Sequence, residues 1–280
     1  MSVSAEGIRP QAPDVRAKKS LGQHFLKDPA ITQKIVDAAD PGPDEVVIEV
    51  GPGTGALTRA LARRSGRVIA VEIDSRLVSP LQTALAEFSH VEVITGDVRD
   101  FAPEVLLKGY GSVRSRGDSE YKVVGNLPYY VASPIIRHFL ESDCRPVKMV
   151  VMVQKEVAEN MTARPGRMGL LSLAVQIYGA PRIVARVPAS RFLPKPKVDS
   201  AVVAIDVHPE PLVIDTERFF RIARAGFRAP RKQLHNSLVQ GLEVETEVVW
   251  AALENQGIDG RRRPSTLTIE EWDRLSGELG

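Results

Sequence analysis

Apolar residues recur along this chain at two spacings, and the changes between them mark out its elements. Ile31, Ile35, Val36 and Ala39 repeat at helical intervals, and Pro41-Gly42-Pro43 ends the helix they predict. Short Val- and Ile-rich runs at 46–50, 68–72, 91–95, 121–125 and 148–154 then read as strands. Amphipathic stretches near 55–64, 75–88 and 134–141 read as the helices between them. The strand runs do not strictly alternate with polar residues, which is the pattern of strands covered on both faces. Strand–helix–strand repetition predicts an α/β fold built on a doubly wound parallel sheet. Two further runs, 176–187 and 200–207, flank a Pro-rich loop at 188–197 and would close the sheet as an antiparallel pair.

After His208-Pro209-Glu210-Pro211 the spacing turns helical again, over 216–240 and 246–256. The expected organisation is a disordered leader at 1–17, an α/β domain at 18–208 and a small all-helical domain at 209–280. Three glycines and mixed charge make 108–120 an expected exposed loop.

Hydrophobic residues are 43% of the 280, enough to build a core and exclude a disordered polymer. Lys and Arg exceed Asp and Glu by 37 to 35, which excludes a uniform polycation but leaves room for local basic clusters. Three occur: Arg221, Arg224, Arg228, Arg231 and Lys232; Lys18, Lys19 and Lys27; and Arg261-Arg262-Arg263. Together they predict a basic surface whose contacts with a polyanion would be salt-sensitive. A single cysteine, Cys144, allows no intramolecular disulfide and no cysteine zinc framework, so a reducing, cytoplasmic setting is expected and no metal site. No apolar run approaches the roughly 18 residues that span a bilayer, and no secretory signal is expected.

Candidate chemistry lies at the strand ends. Gly51-Pro52-Gly53-Thr54-Gly55 follows the first strand run, where glycines permit a sharp turn and let a ligand approach the backbone. Glu72, at the end of the second run, can accept from both hydroxyls of a ribose. The pair points to an adenosine-type ligand. Read through Ala56, the loop also satisfies a dinucleotide fingerprint, so NAD remains open on the glycines alone. Glu49, suited to a cationic methionine end, and Asp97, able to accept from an adenine amine, shift the reading to S-adenosylmethionine. Asp97 could equally be a helix N-cap.

After the fourth run stands Asn126-Leu127-Pro128-Tyr129. Pro128 stiffens the loop. The Asn126 side-chain oxygen and the Leu127 carbonyl are then two preset acceptors beside an aromatic ring, a set suited to a planar base bearing an amine.

These motifs resemble the ribosomal RNA adenine N6-dimethyltransferase family. So do Leu21-Gly22-Gln23-His24-Phe25-Leu26, the Phe192–Ser200 segment Phe-Leu-Pro-Lys-Pro-Lys-Val-Asp-Ser, and Arg231-Lys232-Gln233-Leu234-His235-Asn236-Ser237-Leu238. The likeness runs from about Lys18 to the C-terminal helices and is strongest to the bacterial small-subunit type. It implies a Rossmann-like, seven-stranded class I methyltransferase sheet with a helical C-terminal domain. It implies S-adenosylmethionine as cofactor, held by His24, Leu26, Gly51, Gly53, Glu72, Asp97 and Asn126. It further implies that Asn126, Leu127, Pro128 and Tyr129 receive the target adenine, with Phe192 stacking opposite Tyr129. The implied partner is 16S rRNA in the small ribosomal subunit or its precursor, and the chain is expected to act as a monomer. His24 stands where many relatives carry Asn. Alternatives at this point are a large-subunit adenine methyltransferase conferring antibiotic resistance and an assembly checkpoint acting mainly by binding.

Overall fold

The computed structural model describes residues 17–18, 21–108 and 121–280. Apart from Ala17 and Lys108, the expected leader at 1–17 and loop at 108–120 lie outside the described residues. The chain runs β1 (Phe25–Leu26), α1 (Pro29–Ala39), β2 (Val46–Val50), α2 (Ala56–Ala62), β3 (Arg67–Glu72), α3 (Ser75–Ala84) and β4 (Val91–Thr95). It continues through α4 (Pro103–Leu106), β5 (Tyr121–Asn126), α5 (Ala132–Leu140), β6 (Lys148–Gln154), α6 (Lys155–Met161) and α7 (Leu170–Gln176). Next come β7 (Gly179–Val187), β8 (Phe192–Leu193) and β9 (Ser200–Val207). Helices α8 (Thr216–Gly226), α9 (Leu234–Leu242), α10 (Thr246–Asn255) and α11 (Ile269–Leu279) complete it.

Seven strands form one sheet in the order β4-β3-β2-β5-β6-β9-β7, parallel except for β9, which pairs antiparallel with β6 and β7. Neighbouring residues of β5 show why the strand runs are continuously apolar. Val123 is buried on the face covered by α5, among Ile135, Ile136 and Phe139. Val124 is buried on the other face, with Ile35 of α1 and Leu61 of α2. The chain leaves β2 toward β3 on one side and later returns to β5 on the other. That reversal opens a crevice at the carboxyl ends of β2, β3 and β5, where open α/β sheets bind ligands.

Three expectations change. The 176–187 run is a helix end followed by a strand that starts at Gly179. Helix α7 before it carries no clear sequence signal, because Leu173, Ala174 and Val175 are all buried and leave no one-sided stripe. Gln176 ties α7 to the end of α6 by donating through Nε2 to the Met161 and Ala163 carbonyls. The 216–240 helix divides into α8 and α9 around Pro230, which cannot continue the hydrogen-bond ladder. The two helices cross closely: a Cβ at Gly241 would lie 2.5 Å from the Ala225 Cα. Finally, α11 begins in a Thr268/Glu271 capping box. Phe219, Leu234 and Trp272 of this C-terminal part belong to the same buried cluster as Met149 and Val151 of β6, so one core runs through both parts.

Candidate active site

The loop from β2 to α2 takes left-handed backbone at Gly51 (φ 69°), Gly53 (φ 57°) and Gly55 (φ 80°). At Gly53 a Cβ would also crowd the Phe25 ring at 3.1 Å, closer than an ordinary contact. The turned backbone sends the Gly53 N–H to Glu72 Oε2 at 3.0 Å, while the Asp74 N–H donates to Glu72 Oε1 at 2.8 Å. Burial pushes the Glu72 carboxyl above its usual range, against these two hydrogen bonds. Each oxygen keeps a second lone pair for a ligand hydroxyl.

Glu49 lies under the same loop, 1% exposed, on the wall of the crevice. Its Oε2 is buried without a hydrogen-bond partner among the described residues. Burial raises the Glu49 carboxyl to about 8, partly offset by Thr58 and reinforced by the nearby Glu72 charge. An orphaned buried acceptor costs free energy until a donor or cation reaches it. Two acids facing a glycine-turned backbone fit a ligand carrying a vicinal diol and positive charge, which is the chemistry of S-adenosylmethionine.

Residues 21–26 cross the crevice as a strap, and Leu21 through Leu26 line it. Strand β1 pairs antiparallel with β8, Phe25 opposite Leu193 and Leu26 opposite Phe192. The His24 carbonyl accepts from Asn126 Nδ2 at 2.8 Å. The His24 ring lies over Tyr129, with centroids 5.6 Å apart and planes 25° off parallel, and its Nδ1 donates to the Pro194 carbonyl at 2.8 Å. The Tyr129 hydroxyl meets Ser200 Oγ at 2.7 Å, and burial raises its pKa above the ordinary tyrosine value. Leu127 donates its N–H to the Met152 carbonyl, fixing the loop to β6, and Pro128 follows it on the crevice wall.

His24, Leu26, Gly51, Gly53, Glu72, Asn126, Leu127, Pro128 and Tyr129 therefore meet on one crevice. Two expected residues do not. Phe192 is 2% exposed and packs with Ile35, Val150 and Val187 beneath the sheet edge. Burial among these side chains makes the ring part of the core, not an open face opposite Tyr129. Asp97 lies beyond the crevice lining, where it caps the 98–100 turn and takes the Arg99 guanidinium on both oxygens. That hydrogen bonding, chiefly from the Arg99 side chain, holds its carboxyl below the usual range.

The basic clusters also separate. Arg221, Arg224, Arg228, Arg231 and Lys232 are exposed on α8 and the turn after it. Arg262 instead forks onto Glu271 at 2.5 and 3.0 Å and ties the 259–266 turn to α11. Lys18 and Lys27 are exposed at the two ends of the strap, while Lys19 lies outside the described residues. Gln23 and Asp74, which hold the strap to the end of β3 at 2.9 Å, are site residues that sequence reasoning misses. Gln23 sits inside the Leu21–Leu26 motif, but its partner is 51 residues away and leaves no local trace.

A family model described as ribosomal RNA adenine dimethylase matches residues 15–279. The chain is 46% identical over 264 residues to the ribosomal RNA small subunit methyltransferase A of Dehalococcoides mccartyi (strain CBDB1), spanning 93% of this chain and 88% of that protein. Its likeness to the protein of the same name from Alkaliphilus metalliredigens (strain QYMF) is 44% over 270 residues, 94% of this chain and 92% of that protein. Among solved structures, a dimethyladenosine transferase from Plasmodium falciparum superposes with a TM-score of 0.75 at 26% identity, over 90% of this chain and 96% of that one. The 23S rRNA methyltransferase ErmE gives 0.71 at 29% identity, over 91% and 99%. With the glycine turn, the strand-end acids and the Asn126–Tyr129 loop on one crevice, and with a family match along almost its whole length, this chain belongs to the ribosomal RNA adenine dimethylase family.

Proposed function

We propose that this chain uses S-adenosylmethionine to dimethylate N6 of two adjacent adenosines near the 3′ end of 16S rRNA, acting as a monomer on the small ribosomal subunit or its precursor. Relatives at 42–46% identity carry the small-subunit name, whereas ErmE, named for 23S rRNA, stands at 29%, and this gap favours the small-subunit substrate.

When bound, S-adenosylmethionine supplies a methyl group already activated on a sulfonium. His24, Leu26, Gly51, Gly53, Glu72 and Asn126 would hold it, and Glu49 would give its buried oxygen to the positive end. Asp97 keeps a lone pair on Oδ2 beyond its Arg99 contact, so capping and an adenine contact are compatible. The protein's remaining work is positioning. An adenine N6 shares its lone pair with the ring and is a poor nucleophile. Accepting its two N–H bonds at Asn126 Oδ1 and the Leu127 carbonyl favours a tetrahedral nitrogen with its lone pair aimed at the donor. No strong base is needed, because the amine proton becomes acidic only after methylation and leaves to water. The base must first leave its stack, which costs least in a loop or single strand.

The observation that supports this reading is the Asn126–His24 hydrogen bond, which commits the amide nitrogen and leaves Oδ1 as the end that can accept. Incubation with tritiated S-adenosylmethionine and unmethylated subunits tests it. Label should enter small subunits as N6,N6-dimethyladenosine; label in large subunits alone would overturn the assignment.

A further inference from the structure

The strap over the crevice has an upstream anchor separate from its pairing with β8. The Lys18 N–H donates to Gln23 Oε1 at 2.7 Å, and Gln23 Nε2 donates to Asp74 Oδ2 at 2.9 Å. Asp74 is a rigid post. It is buried, caps α3, and receives Arg76 Nε at 2.9 Å and Nη2 at 2.6 Å. Its own N–H holds Glu72 Oε1. Immediately after Gln23 comes His24, whose carbonyl orients the Asn126 amide. A backbone carbonyl can be placed only through its neighbours. Downstream, Phe25 and Leu26 are fixed by β8; upstream, Gly22 is left-handed (φ 59°) and Gln23 is the side chain tied to the β3 end.

We propose that Gln23 is a positioning residue for methyl transfer: tied to Asp74, it sets where the His24 carbonyl stands and so which way the Asn126 amide faces. The inference rests on residues 126–129 being the amine-receiving loop. If the strap shifts, the amide is free to rotate and present its NH2 to the target amine, where donor would meet donor. Misplacement of this order costs about a hundredfold in rate.

Gln23→Glu keeps the shape but removes the donor and sets a second carboxylate against Asp74, which Arg76 keeps ionised. Gln23→Leu removes the donor without adding charge. Made in an Arg76→Ala background, which removes the guanidinium that also donates to Asp74 Oδ2, the double variant Gln23→Glu/Asp74→Asn reverses the hydrogen bond across the same gap. Each single variant should lower kcat by about a hundredfold while raising the donor KM far less, and the double variant should recover most of the lost kcat. In the ligand-free protein, the His24 ring protons, shifted by stacking on Tyr129, should move toward free-imidazole positions in NMR spectra of the single variants and return in the double variant.

A higher donor KM with kcat intact would overturn the proposal, making Gln23 a ligand contact instead. So would unmoved His24 signals in folded single variants, or a folded double variant without recovery. Inactivity of the unaltered protein on RNA would instead count against the proposed function, and the His24 signals would still decide the anchor.

Discussion

Asn126 Nδ2 lies 2.8 Å from the His24 carbonyl oxygen, a contact between residues 102 apart in sequence. A carbonyl can only accept, so this contact fixes which end of the amide faces the crevice. Removing the amide should weaken the donor site only modestly and abolish the alignment. Asn126→Ala is expected to lower turnover by about 10²–10³-fold, the effect of losing one aligned hydrogen-bonding group at a reacting centre. Donor affinity should change far less. Single-turnover rates beside calorimetric binding would separate the two.

Glu49 makes the donor site sensitive to pH. Its carboxyl is raised to about 8 by burial, so the folded protein holds a proton there that an unfolded chain would release near 4.5. Stability from this group is fully present below the unfolded value and is lost as pH rises through the folded one. A cationic ligand reverses the preference by stabilising the carboxylate. Donor affinity should therefore rise with pH from about 5 to about 8, with proton release on binding. Calorimetry in two buffers of different ionisation enthalpy would measure that release, and Glu49→Gln should abolish it.

Phe192 separates packing from chemistry. Truncation of this buried ring to Ala should cost about 3–5 kcal/mol of stability, whereas Phe192→Leu should stay folded and active. Thermal unfolding beside turnover is the check. A large loss of turnover in a stable Leu variant would restore the stacking role expected from the motif.

Basic residues with similar sequence signals should likewise behave differently. Neutralising Arg228, Arg231 and Lys232 should weaken RNA binding and flatten its salt dependence, by about 0.7–0.9 in log–log slope for each phosphate no longer neutralised. Arg262→Ala should lower the unfolding midpoint while leaving the salt slope almost unchanged, because its guanidinium is held by Glu271. Filter binding across a salt series would distinguish them.

The sheet is legible in the sequence because its central strands β2, β3, β5 and β6 are buried on both faces and read as continuous apolar runs. The crevice residues are legible because glycine turns and strand-end acids are local patterns. What escapes depends on distant partners. Phe192, in a Pro-rich loop, reads alike as a stacking ring or as a hydrophobic plug, and its burial with Ile35, Val150 and Val187 favours the plug only in three dimensions. Asp97 carries the same local signal for a cap as for a ligand contact, and Arg99 decides its hydrogen bonds only in three dimensions. Helix α7 is hidden by burial on more than one side, and Gln23 by an anchor 51 residues away at the start of α3.

The most direct measurement is a crystal structure of the chain with S-adenosylmethionine bound. The transferable methyl carbon should face the gap between Asn126 Oδ1 and the Leu127 carbonyl, with the His24–Asn126 hydrogen bond in place. A methyl group directed away from residues 126–129, or an Asn126 amide turned with its nitrogen toward the crevice, would contradict the account.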